Sequence, residues 1–566
     1  MKKQIIFAAI LLTAELFMGC SKDNDTPSNI DKQEQNKQTV SIQAGSLRFN
    51  FIEEGFGEEI ETTRVEELPK EEVADLGNGF EAHISVERDL VPEATRTPKP
   101  IADGTYTIIA YKGTERLDQK ITFKVVGGVT TITSAKGRYS WVANETYTFV
   151  CFNEKMYEEY GYLLTQNGDF TGGLFDRQTI TINGADQDLT FQMKHANFRV
   201  RTKVETLEEY PVITTASIPA GTWRILTGKY DLRTGVAGMP FDGPSTTAVT
   251  QTYVNSGTYT DTGLEDDFYT VTAKEYDYYI AGKPQELRLS CTAGTLYGKP
   301  LNFTHSFMMK SDEFKANGSY TVKIKLLPRY LYLFEDGQTG YLSNPIRKNH
   351  VPIAIVFDPV DRRAISLWDA NNGNGVKWDT DNDYEKQRNS VMFANAVPHP
   401  ALTTNTSGHV WTWEIYDSFH NSSPVTKANI PQFAAFYYAA KYYTDTHLNN
   451  KATSKSGNLS GALANDGKWY LPSWYEWKEI FEKLGLGNGS AVITWGEKPW
   501  KGSLVNYAFT VANGTSIASK NNIYYWSSSE NDVRYAFIID TNRSRMAFNS
   551  FYKNWEAPHV RPFVMY

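Results

Sequence analysis

Chemistry in this chain would have to come from a few small groups of residues. Asp379-Thr380-Asp381-Asn382-Asp383-Tyr384-Glu385 places hard oxygens at alternate positions, the pattern that binds calcium, so Asp379, Asp381 and Asp383 are weak candidate metal ligands. The run lacks the glycine at its sixth position and the acid at its twelfth that an EF-hand loop requires, and a solvated loop is the plainer reading. Just upstream, Trp368, Asp369, Asn371, Asn372 and Asn374 combine an aromatic plate with carboxylate and amide groups, the surface chemistry that holds a sugar. The same letters also spell an Asn-Gly-rich turn. His399, His409 and His420 fall in loop-like surroundings without carboxylates at ligand spacing, which argues against zinc. No assembled nucleophile, base and metal set is recognisable, so neither enzymatic activity nor a cofactor is expected.

The cysteines divide by role. Cys20 closes a leader with a basic start, Met1-Lys2-Lys3, an apolar core from Ile5 to Leu12, and the segment Phe17-Met18-Gly19-Cys20, which resembles a bacterial lipobox. The leader is too short, and too interrupted by Glu15, to span a bilayer. Cleavage before Cys20 would leave its sulfur to carry lipid, giving a tethered protein; an ordinary secretory signal with a chance cysteine is the alternative. Cys151 and Cys291 remain, as one disulfide in an oxidising exterior or as two buried thiols.

The elements that would position these residues fall into three regions. A chain of 566 residues, 41% apolar and 14% aromatic, supports several domains with ample cores. Removing residues 1–19 takes away two lysines and one glutamate, leaving the formal charge of −8 one unit more negative. An acidic chain gains nothing from a phosphate backbone, so nucleic acid is not an expected partner. Residues 20–38 have almost nothing to bury and read as a disordered tether. Val40, Ile42, Leu47, Phe49 and Phe51 open the folded part with a β-like alternation, and residues 53–75, with ten acids against Arg64 and Lys70, read as a solvated loop. Runs such as Thr105–Tyr111, Ile121–Val126, Thr146–Phe152, Asn197–Val204 and Ser319–Leu326 alternate with period two between Gly, Asn and Asp turns. That is the pattern of antiparallel sheets packed as sandwiches, divided here into units 39–205 and 206–334.

Residues 335–566 differ, holding 11 of the 13 tryptophans. Residues 431–443 predict a helix with Pro431 in its first turn. Ser473-Trp474-Tyr475-Glu476 predicts a capping box, followed by the apolar stripe Trp474, Trp477, Ile480, Phe481, Leu484 and a stop at Gly485. The tryptophan-rich motifs read as core, with Arg561 directed at backbone carbonyls or Glu530.

Two resemblances follow. Asp103–Lys112, Ala143–Phe152 and His195–Arg201 resemble the fimbrillin family, lipoprotein-derived pilus subunits of Bacteroides-type bacteria. Trp469–Trp477, Tyr525–Glu530 and His559–Phe563 resemble, in order and spacing, the FISUMP-like domains related to the C-type-lectin-like fold. Together they imply a mainly β protein: two tandem fimbrillin-like (transthyretin-like) sandwiches followed by an α+β lectin-like domain. The cysteine-dependent formylglycine-generating relatives of that fold are not matched in chemistry, because residues 335–566 contain no cysteine. Ser21-Lys22-Asp23-Asn24-Asp25 looks like the acidic export signal of surface lipoproteins. The implied precursor is an outer-membrane surface lipoprotein, and the mature form an extracellular pilus subunit joined to other pilins by strand donation. Processing by an Arg-specific protease would fall first at Arg96 or second at Arg64, with Arg88 also open. His559–Tyr566 reads as its domain's own closing strand, so a tip subunit with an adhesive head for glycan or protein is expected. A surface lipoprotein that binds glycan without polymerising is the alternative.

Overall fold

The computed structural model describes residues 40–57, 71–89, 99–166, 171–208, 215–218, 223–234, 241–244, 249–252, 258–260, 268–281, 285–291, 294–310, 314–381, 388–392, 407–419, 424–455, 458–487, 496–554 and 557–566. The protein is mainly β. Among the described residues no helix is long and apolar enough to cross a membrane.

The first sheet has eight strands. Its spatial order is Val40–Ala44 (β1), Leu47–Glu53 (β2), Gln187–His195, Leu174–Thr181, Thr146–Asn153, Gly104–Lys112, Glu115–Val126 and Val129–Lys136. Neighbours run antiparallel except β2, which lies parallel to Gln187–His195. The sheet curls until its two edges meet, where Thr130 Oγ1 donates to the Ser41 carbonyl at 2.9 Å. Alternation places Leu47, Phe49 and Phe51 of β2 inside, and Phe49 and Phe51 pack on Phe149 and Phe123 with ring centroids 5.2 and 4.8 Å apart. Burying each such ring contributes about 1.5–3 kcal/mol.

The second sheet draws on distant parts of the chain. Its main path is Thr258–Thr260, Phe268–Thr272, Asn197–Thr206, Ser319–Pro328, Phe80–Arg88 (β4) and Glu72–Gly77 (β3), with Asp277–Ile280 also paired to Asn197–Thr206. The expected division at 205/206 therefore does not coincide with a sheet boundary: the β3–β4 hairpin pairs from Phe80 against Pro328 to Arg88 against Tyr320. The acidic run was also expected to be loop through Asp75, yet Glu72 to Asp75 are strand. There Ala74 and Leu76 face inward, Asp75 takes the wet face, and Glu72, half-buried at the strand's start, lies 3.1 Å from His305 Nε2. Cys151 and Cys291 are not bridged to one another but buried in different cores, and burial pushes the Cys151 thiol well above its usual range.

Beyond residue 330 helices appear among strands. One six-stranded sheet runs Thr339–Gly340, Tyr332–Phe334, Pro352–Asp358, Arg363–Ser366, Phe563–Met565, Trp469–Tyr470; a four-stranded sheet runs Gly496–Pro499, Arg545–Tyr552, Tyr535–Thr541, Ile523–Glu530. Tyr332–Phe334 belongs to this region, and Tyr332 Oη donates to the Ala508 carbonyl at 2.7 Å, so the expected boundary at 334/335 separates this strand from the sheet it pairs with. The Trp474–Lys483 helix starts in the capping box: Ser473 Oγ accepts from Glu476 N at 3.2 Å and Glu476 Oε2 accepts from Ser473 N at 2.8 Å. It stops at Gly485, whose φ of +72° suits glycine. The other expected helix is shorter, Ala434–Ala440, and Pro431 lies before it rather than in its first turn.

Candidate functional site

The segment around Trp368 does not form a sugar-binding plate. Trp368 is 3% exposed and its Nε1 donates to the Asn513 carbonyl at 3.0 Å. Asp369, 8% exposed, is committed to ion pairs with Arg561 Nε at 2.7 Å and His559 Nδ1 at 3.5 Å. Asn371, Asn372 and Asn374 emerge on a tight turn with Asn371 and Asn372 at positive φ. Asn374 Nδ2 donates to the Asn371 carbonyl at 3.0 Å, and Asn372 N to Asp445 Oδ2 at 3.1 Å. The five residues thus divide between core and turn, as the Asn-Gly-rich reading implies.

Nor do the candidate metal ligands converge. Asp379 is fully buried, its Oδ1 accepting from Asp381 N at 2.9 Å and Gln432 Nε2 at 3.2 Å, and burial pushes its pKa up to about 6. Asp381 is exposed, and Asp383 lies outside the described residues, as do His399 and His420. His409 Nε2 lies 2.9 Å from the Gly467 carbonyl. One cluster the sequence did not single out, Glu335, Asp336 and His350, brings three ligand atoms together. Those atoms are already engaged: His350 Nδ1 lies 2.9 Å from Glu335 Oε1, Val351 N donates to Glu335 Oε2 at 2.7 Å, and Arg347 holds Asp336 Oδ2 at 2.6 Å. It clasps the strand ends rather than offering an open ligand set.

Arg561 reaches backbone carbonyls as expected, at Thr515 (3.1 Å) and Ser366 (3.3 Å). Its acidic partner is Asp369 and not Glu530. Glu530 is instead buried against Lys553, and its Oε2 accepts from Asn389 N at 2.6 Å. Beside them is a feature that sequence reasoning missed. Lys427 is completely buried, with Nζ 2.9 Å from Asn389 Oδ1 and also donating to the Ser418 carbonyl. Burial lowers its pKa to about 7. Three of the rings that enclose it, Phe419, Phe433 and Phe436, lie within nine residues, but no periodicity in Ala428-Asn429-Ile430 context shows that they and Trp378 close over the ammonium.

The β1–β2 hairpin lies at the edge of the first sheet. Val40, Ile42, Ala44, Leu47, Phe49 and Phe51 point into the core from two strands that end a sheet. Removing this hairpin would leave an apolar slot between Gln187–His195 and Val129–Lys136. Arg64 and Arg96, in the connections after β2 and after β4, lie outside the described residues, as does Cys20. Arg88 ends β4 inside the second sheet, paired opposite Tyr320, a position a protease reaches only by unzipping that strand.

No protein-family model and no curated protein matches the chain. Among solved structures it is similar to a fimbrial protein from Bacteroides ovatus, with 12% identity, 93% of this chain and 100% of that one covered, and a TM-score of 0.22. A fimbrial assembly protein from Parabacteroides distasonis gives 11% identity over 42% and 91% of the two chains, with a TM-score of 0.23. The fimbrial anchor protein Mfa2 from Porphyromonas gingivalis gives 10% identity over 47% and 93%, with a TM-score of 0.22. These structural neighbours are fimbrial proteins of Bacteroidales, but at such TM-scores the likeness does not transfer their roles to this chain.

Proposed function

We propose that the protein is a fimbrial subunit that accepts a strand from a neighbouring subunit into its first sheet and carries residues 330–566 as an adhesive head at the filament tip. The observation that carries this reading is the placement of β1 and β2. They form an edge hairpin that fills the core with six alternating apolar residues, and its link to the rest of the chain contains Arg64. Cleavage there would remove the hairpin alone and expose strand edges on both sides of an apolar slot, which an incoming strand of period-two pattern can fill. Cleavage at Arg96 would also detach β3 and β4 and strip the nine-residue β4 from Ser319–Pro328, so Arg64 becomes the preferred site. Phe563–Met565 sits between Arg363–Ser366 and Trp469–Tyr470 with Phe563 and Val564 fully buried. That strand is therefore committed to its own sheet on both sides and is not itself a donor. Lipidation at Cys20 belongs to the precursor, on the outer membrane. The ligand of the head would be a glycan or protein.

Two measurements test this: the N-terminal residue of protein recovered from the native cell surface, and gold-labelled antibody against residues 335–566. A start after Arg64 with label at filament ends is expected. Label along the shaft removes the tip assignment, and a start at Cys20 on protein absent from filaments replaces it with a non-polymerising lipoprotein that binds glycan.

A further inference from the structure

The interior around Lys427 is built unlike an ordinary lysine site. Long lysine side chains place their ammonium in water, and a buried one normally meets a carboxylate. Lys427 Nζ instead faces the side-chain carboxamide of Asn389 at 2.9 Å and the main-chain oxygen of Ser418, and no carboxylate among the described residues forms an ion pair with it. Four rings surround it, those of Phe419, Phe436, Phe433 and Trp378, with centroids 4.4, 5.3, 5.6 and 5.8 Å from Nζ. The carboxamide is fixed as well. Asn389 Nδ2 donates to the Ser528 carbonyl at 2.7 Å, which turns Oδ1 toward the lysine, and the Asn389 N–H donates to Glu530 Oε2 at 2.6 Å. Asn389, Lys427, Glu530 and Lys553 are each at most 1% exposed. An amine and a carboxamide are thus held together in a buried site, the proximity that acyl transfer needs, with Glu530 fixing the Asn389 main chain.

We propose that Lys427 and Asn389 join in an intramolecular amide cross-link. Neutral Lys427 Nζ attacks Asn389 Cγ, the Nζ–Cγ bond forms, the Cγ–Nδ2 bond breaks, and ammonia leaves. The proton shed by Nζ passes to the departing nitrogen, which leaves as ammonia. No oxidant, reductant or cofactor is consumed. Burial favours the neutral amine that the attack requires, and the rings that exclude water protect the carboxamide from hydrolysis. The product amide keeps one N–H for the Ser418 carbonyl and leaves no desolvated ammonium, while the Ser528 carbonyl gives up its bond from Asn389 Nδ2. The bond would close residues 389–427 into a loop and tie the strand Ile523–Glu530, through Asn389, to the segment before Ala434–Ala440. This inference does not depend on the fimbrial reading.

Mass spectrometry of the full-length purified protein, denatured and digested with trypsin, tests it. The expected result is an intact mass lower than the sequence by one ammonia and a single looped peptide running from Asn389 to Lys441, uncleaved at Lys427 and itself short by one ammonia. Separate linear peptides, with cleavage after Lys427 and an unmodified Asn389, would overturn the proposal and leave Lys427 as a cation held by its rings. Because Asn389 precedes Ser390, succinimide formation would also release ammonia, and Lys427→Arg separates the two. A variant that retains the full mass supports the cross-link, and one that still loses ammonia at Asn389 refutes it.

Discussion

Arg561 Nε lies 2.7 Å from Asp369 Oδ1 with both side chains buried, which locks the segment leading into Phe563–Met565 onto the turn after Arg363–Ser366. Burial raises the Asp369 pKa while Arg561 and His559 oppose the rise. Removing one partner strands the other charge. Asp369→Ala is therefore expected to cost about 3–5 kcal/mol in urea unfolding, whereas a surface role in sugar binding would leave stability unchanged.

Asp379 gives a pH signature. Its folded pKa of about 6 lies above the usual 3.8, so between those values the folded state holds a proton that the unfolded state has released. Stability from this group therefore falls as pH rises from about 4 to about 6 and is flat above. The full effect corresponds to about 3 kcal/mol. Lys553 opposes the shift and Asp381 reinforces it. Asp379→Asn keeps the accepting Oδ1, so it should flatten that limb and stabilise the protein at neutral pH. Urea midpoints measured across this range check it, and an unchanged slope would refute the assignment.

Trp477 is fully buried between Tyr525 and Phe563, with ring centroids 5.4 and 5.7 Å away. Trp477→Ala should cost about 3–5 kcal/mol through the cavity it leaves. A silent substitution would refute its place in the core.

The capping box separates two effects. Ser473→Ala should cost about 1 kcal/mol by removing one helix cap. Glu476→Ala should cost more, because its carboxylate also accepts from Gly408 N at 2.9 Å and Tyr470 Oη at 2.8 Å within the core. Equal costs in thermal unfolding would mean that only the cap matters.

The strand Tyr332–Phe334 sets the start of the C-terminal region. A fragment of residues 329–566 should melt cooperatively with strong near-ultraviolet circular dichroism from packed indoles. A fragment of residues 335–566 loses that strand and the Tyr332–Ala508 bond, and should melt earlier and less cooperatively. Identical melts would restore the boundary at 335.

Local order was legible in the sequence wherever neighbours a few residues apart decide it. Ser473 and Glu476 cap the helix they were read to cap, the stripe from Trp474 to Leu484 is buried, and strands such as Asn197–Thr206 alternate as their letters do. The mainly β class follows from that periodicity, and the turn at Asn371–Gly373 from its turn-forming residues. What the sequence alone left open were relations between residues tens to hundreds of positions apart. Only tertiary packing put β3 and β4 beside Ser319–Pro328, turned Trp368, Asp369 and Asp379 inward, gave Arg561 to Asp369 rather than Glu530, and set Lys427 against Asn389. The physical reason is that periodicity is written by adjacent side chains, whereas the burial and pairing of one charge depend on which distant groups close over it.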